Sequence, residues 1–295
     1  NSAGEWGTCP LQGIEAPNNG AIYPVQPKIK GQYHDEIVAG FQRALTDDLV
    51  VGANYTHRWL GGIIEDGTAT DGTFVLANPG NIPKSVLDDL QKDVDARAAE
   101  AAADPGDSVK AANAGQAQSK LDNLRGLASQ PKPKRTYDAI TLSAMKRFAR
   151  NWMLNASYTY SRLIGNYNGL YDADNSYFAP NGGNAYDTPD LLLNKNGPLA
   201  NDRPHAGRID GYYNFPVGRG SVIAGISFAA FSGVPRNYVS GLFPGYQLVF
   251  LLPRGSAGRT PTVTQTDVKL AYRRGLTKTT AIEAFIDLYN VLNQR

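Results

Sequence analysis

Few residues in this sequence have the types and spacing needed for catalytic or metal chemistry. Its 295 residues include three histidines, His34, His57 and His205, and one cysteine, Cys9. A structural zinc site uses four ligands, mostly Cys and His, so the chain has few to offer. No Gly-x-Ser-x-Gly turn is present to expose a nucleophilic serine. We therefore expect a protein that is not an enzyme and has no catalytic residues.

One acidic segment has the spacing of a metal site. Asp172, Asp174 and Asn175 place side-chain oxygens close together along the chain, and oxygen is the ligand that calcium prefers. The segment lacks the glycine and the terminal glutamate of an EF-hand. A surface turn rich in Asp and Asn explains the same residues and is the favoured interpretation. Calcium remains the alternative, and no other cofactor is expected.

The strands predicted along the chain alternate between two kinds of side chain. From 152 to 160, every second residue is apolar or aromatic, and the residues between them are mostly small and polar. A β-strand has a period of two, so the two sets lie on opposite faces. An apolar face with aromatic ends, opposite a polar face, is typical of a transmembrane β-barrel. The apolar set here is Trp152, Leu154, Ala156, Tyr158 and Tyr160.

The pattern recurs along the chain and predicts about eight antiparallel strands in four hairpins. The expected strands are 32–45, 49–64, 136–148, 152–160, 206–215, 221–232, 262–272 and 279–292. Turns of a few residues close the hairpins, whereas long loops at 65–135, 165–202 and 233–261 connect them. Short turns on one side and long loops on the other are expected of outer-membrane barrels.

The longest loop is predicted to be an extracellular insertion, residues 66–134, that contains helices. Its segment 84–103 places apolar residues on one helical stripe, and a weaker second helix ends before Pro131. A partly disordered insertion is the alternative, because Ala, Gln, Lys and Asp are abundant there. The apolar residues of the two helices are Val86, Leu87, Leu90, Val94, Leu121, Leu124 and Leu127.

Composition agrees with a barrel and excludes some other classes. Hydrophobic residues make up 42% and charged residues 19% of the chain. No run approaches the roughly 20 apolar residues of a membrane helix, so a membrane crossing would require a closed barrel. The formal charge of +2 is too small to indicate a nucleic-acid partner. Cys9 is compatible with a free thiol or with a disulfide to a partner outside the chain.

The two faces of the strands predict two groups of site residues. Tyrosine and tryptophan on the apolar face are expected at the membrane interfaces, whereas charged residues on the polar face are expected to line the lumen. The interface aromatics are Tyr55, Trp59, Trp152, Tyr158, Tyr160, Tyr213 and Tyr272. The lumen residues are Arg58, Arg208, Asp210, Asp267 and Lys269.

Several motifs resemble the barrel of TonB-dependent outer-membrane receptors. They are KRF at 146–148, ASYTYS at 156–161, GNY at 165–167, NDRPH at 201–205 and FIDLYNVLN at 285–293. The segment 32–40, together with His57 and Arg58, resembles the Oar-like branch of that family. The motifs fall in all four hairpins, so the resemblance covers most of the chain outside the helical insertion.

The resemblance implies a 22-stranded barrel, closed by a plug domain, that passes a ligand when TonB acts on the plug. No plug precedes Asn1 in this sequence. About eight strands would close only a barrel whose interior is filled by side chains, yet the inward faces here carry Gly, Ser, Thr and Asn. We therefore expect the whole chain, 1–295, to be the C-terminal part of a larger barrel.

Three functions follow as hypotheses. The first is gated, TonB-coupled transport of an unidentified ligand across the outer membrane. The second is a surface or adhesion protein that uses the barrel as an anchor, and the third is an ungated porin. In each case the expected partners are the lipid bilayer and lipopolysaccharide. The transport hypothesis adds the TonB complex, contacted through a plug outside this chain.

Overall fold

The computed structural model describes residues 24–68, 74–174, 177–178, 186–243, 247–277 and 279–293. Cys9 and Asn175 lie outside them. The described strands are β1 (Tyr33–Ala44), β2 (Leu49–Gly61), β3 (Glu65–Gly67), β4 (Val75–Ala77), β5 (Arg135–Ala149), β6 (Trp152–Gly165), β7 (Tyr171–Asp172), β8 (Tyr177–Phe178), β9 (Gly197–Pro198), β10 (His205–Val217), β11 (Gly220–Phe231), β12 (Val239–Phe243), β13 (Gln247–Phe250), β14 (Val263–Gly275) and β15 (Ala281–Leu288). The helices are α1 (Lys84–Ala103), α2 (Ser108–Ser129) and a 3-10 turn (Pro189–Leu192).

Eight long strands form one antiparallel sheet in the order β1-β2-β5-β6-β10-β11-β14-β15, and the two-residue β9 adds to β6. Each long strand therefore pairs with the long strands before and after it in the chain. The sheet is open, with β1 and β15 at its edges. The eight predicted strands are confirmed. The sheet that they build is here called the wall.

Strand ends differ from the predicted ones where pairing continues past the alternation. β6 extends to Gly165 rather than stopping at Tyr160, because Arg162 and Ile164 still pair with β5. The turn between β5 and β6 is tight. Arg150 and Asn151 occupy it with φ of 53° and 70°, the left-handed conformation of hairpin turns, and asparagine tolerates it better than most residues.

Cross-strand register shows that one face of the wall is predominantly apolar. Partners in register share a face, and the row Tyr55, Ile140, Tyr160 and His205 runs across four strands. Aliphatic side chains on this face are strongly exposed: Leu270 is 53% and Ile286 62% accessible. An apolar surface of this extent is not stable in water. We assign it to lipid and call it the outer face, and the opposite face the lumen face.

The two predicted helices of the insertion are confirmed. Asp107 caps α2, its carboxylate accepting hydrogen bonds from the backbone N–H of Val109 at 2.9 Å and of Lys110 at 3.2 Å. Leu124 and Leu127 of α2 pack on β4 in a fully buried cluster. The rest of the hairpin has few buried residues, so it projects from this base. Neither described helix is long and apolar enough to cross a membrane.

Candidate functional site

All three long connections between wall strands leave from the same end of the sheet. They are loop 1 (62–134), loop 2 (166–204) and loop 3 (232–262), and together they are called the loop cap. The opposite end has only the short turns after β1, β5, β10 and β14. The loop cap and the lumen face beneath it form the candidate site.

Loops 1 and 2 are joined by partly buried hydrogen bonds. The hydroxyl of Tyr186, which is fully buried, donates to the carbonyl of Pro131 at 2.9 Å. The side chain of Asn166 accepts from the backbone N–H of Lys134 at 2.6 Å. A Cβ at Gly67 would lie 2.5 Å from the carbonyl oxygen of Tyr186, so only glycine permits this approach. At Gly67, loop 1 therefore packs directly against the backbone of loop 2.

A pair of carboxyl groups lies in the same contact. Burial, and then the nearby carboxylate of Asp187, raises the pKa of Asp66 to about 7. Burial, and then the carboxylate of Glu65, raises the pKa of the neighbouring Tyr167 and Tyr186 hydroxyls. An unpaired negative charge is therefore unfavourable at the contact between loops 1 and 2.

Loops 2 and 3 are joined by a buried arginine. Arg254 is 4% exposed. Its guanidinium pairs with the carboxylate of Asp174, donates to the side chain of Asn168 at 2.9 Å, and donates to the carbonyl of Pro198 at 3.0 Å. The guanidinium also lies 4.9 Å from the centre of the buried Phe250 ring. A planar donor that satisfies three acceptors in one place fixes both loops at once.

A second ion pair repeats this connection nearer the wall. The guanidinium of Arg259 in loop 3 pairs with the carboxylate of Asp202 in loop 2. Asp202 also accepts from the backbone N–H of Leu163 in β6 at 2.6 Å. Loops 2 and 3 are therefore connected both to each other and to the wall.

The predicted calcium ligands take part in this network. Asp174 pairs with Arg254, and Asp172 accepts from the backbone N–H of Asp174 at 3.0 Å. Among the described residues, no group of three or more His, Cys, Asp or Glu is placed to hold a metal ion. The calcium site stays a prediction. One of its predicted ligands, the Asp174 carboxylate, is paired with the guanidinium of Arg254.

The five predicted lumen residues all lie on the lumen face, in two places. Arg58 pairs with Glu36, with Nε 2.5 Å from the carboxylate, and lies 5.8 Å from the centre of the Tyr137 ring. These residues line a cavity of about 610 Å³ beneath loop 1, together with Arg135. Two guanidinium groups and one carboxylate leave this region basic.

The other four lumen residues lie on β10 and β14 and form a more acidic region. Ser227 donates to Asp210 at 2.6 Å, and the backbone N–H of Asn290 donates to Asp267 at 2.7 Å. Lys269 lies 3.7 Å from Asp287, and these groups line a cavity of about 370 Å³. Arg208 lines an adjoining cavity with Asp210 and Asp267, and its guanidinium lies 5.4 Å from the centre of the Phe231 ring.

The seven predicted interface aromatics all share the outer face and divide between its two ends. Tyr55, Trp59, Tyr158 and Tyr160 lie toward the loop cap, and Trp152, Tyr213 and Tyr272 toward the short turns. This division matches two aromatic belts, although their position in a bilayer stays a prediction.

Sequence reasoning missed several residues of the site. Glu36, Arg135 and Asp287 lie on the lumen face, and the same alternation that selected Arg58 could have found them. No local signal marks Asp66 or Arg254, because their partners are distant in sequence.

Comparison with known proteins agrees with this architecture. Residues 6–250 match the model of a family described as an outer membrane beta barrel domain. The TonB-dependent transporter Oar of Myxococcus xanthus is 31% identical over 274 residues, which is 92% of this chain and 22% of that protein. The resemblance to the Oar-like branch is thus confirmed, and the chain spans about a fifth of that relative.

The comparison with solved structures matches the outer membrane transporter YddB from Escherichia coli. It has a TM-score of 0.45 and 14% sequence identity, and the match covers 90% of this chain and 29% of that one. The match of the family model to most of the chain places it in the outer membrane beta barrel family, with its long strands as wall strands in the outer membrane.

Proposed function

We propose that this chain supplies wall strands and the loop cap of a TonB-dependent transporter, through whose lumen a ligand passes in a gated, energy-coupled step. The observation that carries the proposal is the pairing of a predominantly apolar outer face with a charged lumen face under the loop cap. The relative named as a TonB-dependent transporter supports it. TonB would be contacted through a plug outside this chain.

The lumen face suggests how the wall serves transport. The basic region at Arg58 lies under the loop cap, and the acidic region lies around Asp210 and Asp267. A solute crossing the lumen, or a plug filling it, would meet charges of opposite sign in the two regions. Opposed charges favour a defined orientation, because like charges brought together at a desolvated contact cost roughly several kcal/mol.

Gating is tested by electrical conductance of the full-length protein. In planar bilayers with KCl as the probe, a plugged transporter carries no steady current, and the same protein with its plug deleted carries a large one. Steady current through the intact protein would instead support an ungated porin.

Energy coupling is tested by binding to TonB. The purified periplasmic domain of TonB should be retained by the full-length protein, and not by the same protein without its plug. Equal retention by both forms, or by neither, contradicts the proposal.

A second candidate is a surface protein anchored by the barrel, and the projecting helical hairpin favours it. Replacing 95–118 by a short turn removes the tip but keeps the buried base at Leu124 and Leu127. If the barrel is an anchor for the hairpin, cells should lose surface attachment while the barrel still assembles. Under the transport proposal, attachment is unchanged.

A further inference from the structure

The outer face has a polar cluster near the loop cap, whereas the lipid-facing band of a barrel is usually apolar. We call it the outer polar patch: Tyr55, His57, Asp138, Arg162 and His205. The carboxylate of Asp138 accepts from the Tyr55 hydroxyl at 2.7 Å and lies 2.7 Å from Nδ1 of His57. Arg162 is the direct cross-strand partner of Asp138 and is exposed.

Its height on the wall places this patch at a membrane surface. Ten residues of β6 separate Trp152 from Arg162. At about 3.3 Å per residue and a tilt of about 40°, this distance is roughly 25 Å along the membrane normal, the height of the apolar band of a barrel. With Trp152 at one boundary of the hydrocarbon, Arg162 lies at the other, on the side of the loop cap. That side faces the outer leaflet.

A groove of about 350 Å³ begins directly below the patch. Small residues, Ala144, Ala156 and Gly207, form its floor, and a Cβ on Gly207 would meet no atom within 4 Å. Larger outward side chains border it, namely Leu142, Tyr158, Ile209 and Phe228. A depression of this kind on a lipid-facing surface has the volume and apolar lining to accept a hydrocarbon chain.

Patch and groove are continuous through one residue. Tyr158 borders the groove, and its hydroxyl lies 2.7 Å from Nδ1 of His205 in the patch. The ring of Tyr160 lies 5.3 Å from that of His205, so aromatic groups separate the apolar part from the polar part. The site therefore has an apolar channel below and hydrogen-bonding groups above.

The charges favour one class of occupant. Tyr55 and His57 already engage the Asp138 carboxylate, which reduces its repulsion of an anion. Arg162 then offers a guanidinium to a phosphate, the group that it binds bidentately. We propose that this site binds one lipopolysaccharide molecule, with an acyl chain in the groove and a headgroup phosphate at Arg162. The inference rests on membership of an outer-membrane barrel family and not on the transport proposal.

Two variants and two matched controls test the site in the full-length protein. Arg162→Gln removes the phosphate contact, and Gly207→Leu fills the groove. Arg274→Gln changes an outer-face arginine at the opposite end of the wall, and Ala224→Leu enlarges an outer-face residue outside the groove. Heat-induced change in gel mobility confirms that each barrel has assembled, and Ala144→Leu replaces Gly207→Leu if that variant does not assemble.

The readout is lipopolysaccharide retained per protein after detergent purification, measured by mass spectrometry. Losing one charged hydrogen bond corresponds to about a tenfold drop in affinity, so Arg162→Gln should retain about tenfold less. The groove variant should also lose lipid, and the two controls should retain it. Wild-type retention by Arg162→Gln, or equal loss from Arg274→Gln, overturns the proposal.

Competition distinguishes the lipid from free phosphate. Vesicles containing lipid A should restore binding to the delipidated protein, whereas vesicles of phosphatidylglycerol alone should not. Inorganic phosphate at the same concentration should not displace the lipid, because it cannot occupy the groove. Displacement by phosphate, or equal binding of dephosphorylated lipid A, contradicts the two-part site.

Discussion

The two ends of the wall bury a cation in different ways. At the turn end, Lys146 donates to the carbonyls of Arg147, Ala149 and Trp152 at 3.0 to 3.3 Å. It also lies 3.0 Å from the carboxylate of Asp48 in the neighbouring turn. At the loop end, Arg254 joins two loops whose paired residues are 80 positions apart. The cation at the turn end is held mainly by backbone carbonyls of its own turn, whereas the cation at the loop end is held by an ion pair between two long loops.

This difference indicates where the structure is sensitive. Tight turns keep their shape because their backbone conformation is set by a few neighbouring residues. Long loops have no such local constraint and must be ordered by tertiary contacts. Mutations at the loop end should therefore release the cap and leave the wall intact, and mutations at the turn end should weaken the wall itself.

The largest effect is expected from Arg254→Met. The variant leaves the Asp174 carboxylate buried without its cation, which costs about 3–5 kcal/mol. Hydrogen exchange of the protein in nanodiscs should show faster exchange in loops 2 and 3 and unchanged exchange in β10 and β11. Arg219→Met, at an exposed turn, is the control. Faster exchange throughout the wall would contradict the separation of the two ends.

A smaller effect, on the wall, is expected from Lys146→Met, because the Asp48 carboxylate that loses this cation still accepts from the Thr46 hydroxyl and lies 4.0 Å from Arg150. The lost hydrogen bonds to three carbonyls are worth about 1 kcal/mol each, and the methionine still covers the Trp152 ring, which lies 4.3 Å from the Lys146 ammonium. Urea unfolding in lipid should shift to a lower midpoint, while exchange in loops 2 and 3 stays as in the wild type. An unchanged midpoint would show that the turns hold without this lysine.

The two ends should also respond to pH in opposite directions. The pKa of Asp66 is raised from 3.8 to about 7. The closed contact between loops 1 and 2 therefore binds a proton more tightly, is strongest below about pH 4, and weakens as the pH rises through 7. The Thr46 hydroxyl, and then Lys146, lowers the pKa of Asp48 to about 2, so its contribution is present above pH 3.8 and is lost as the pH falls through 2.

Hydrogen exchange of β3, corrected for its intrinsic pH dependence, tests the loop-end half of this expectation. Protection should be greater at pH 6 than at pH 8. Asp66→Asn, which cannot ionise, should show equal protection at both values. A wild-type protein whose β3 is protected equally at the two pH values would argue against the Asp66–Asp187 contact.

The smallest effect is expected on the exposed helical hairpin. Arg97 and Asp93 of α1 form an i,i+4 pair at 2.9 Å, with both side chains more than 40% exposed. Such a pair contributes about 0.3–0.5 kcal/mol. Arg97→Ala should leave the circular dichroism and the exchange of loop 1 unchanged within error. A clear loss of helix would mean that exposed and buried ion pairs in the cap contribute similarly to stability.

The sequence predicted the wall well because each wall strand has its own period-two signal. The apolar positions around Ala156 and the polar ones around Asn155 indicated the two faces without any knowledge of the fold. The prediction for α1 agreed with the structure, since Pro83 and Pro105 bound that helix on either side. The end of β6 was missed because Arg162 interrupts the apolar alternation, and only pairing with Asp138 shows that the strand continues.

The loop cap could not be predicted in the same way. Neither Asp174 nor Arg254 lies in a periodic segment, and the burial of Asp66 depends on where loop 2 is placed. These contacts follow from three-dimensional proximity and leave no local pattern. The lumen residues were predicted in part. Alternation indicated the face on which they lie, but only the strand register showed that Arg58 and Asp210 belong to different regions of that face.

The order of strands in the wall bears on how the protein is assembled. Each long strand pairs with its neighbours in the chain, so the wall can grow one hairpin at a time with modest loop closure at each step. The contacts of Arg254 and Arg259 connect loops that lie between different hairpins, so we expect them to form after the strands that flank these loops have paired. The loop cap is therefore expected to form last, and the exchange protection of the segment around the buried Arg254 would report a correctly completed wall.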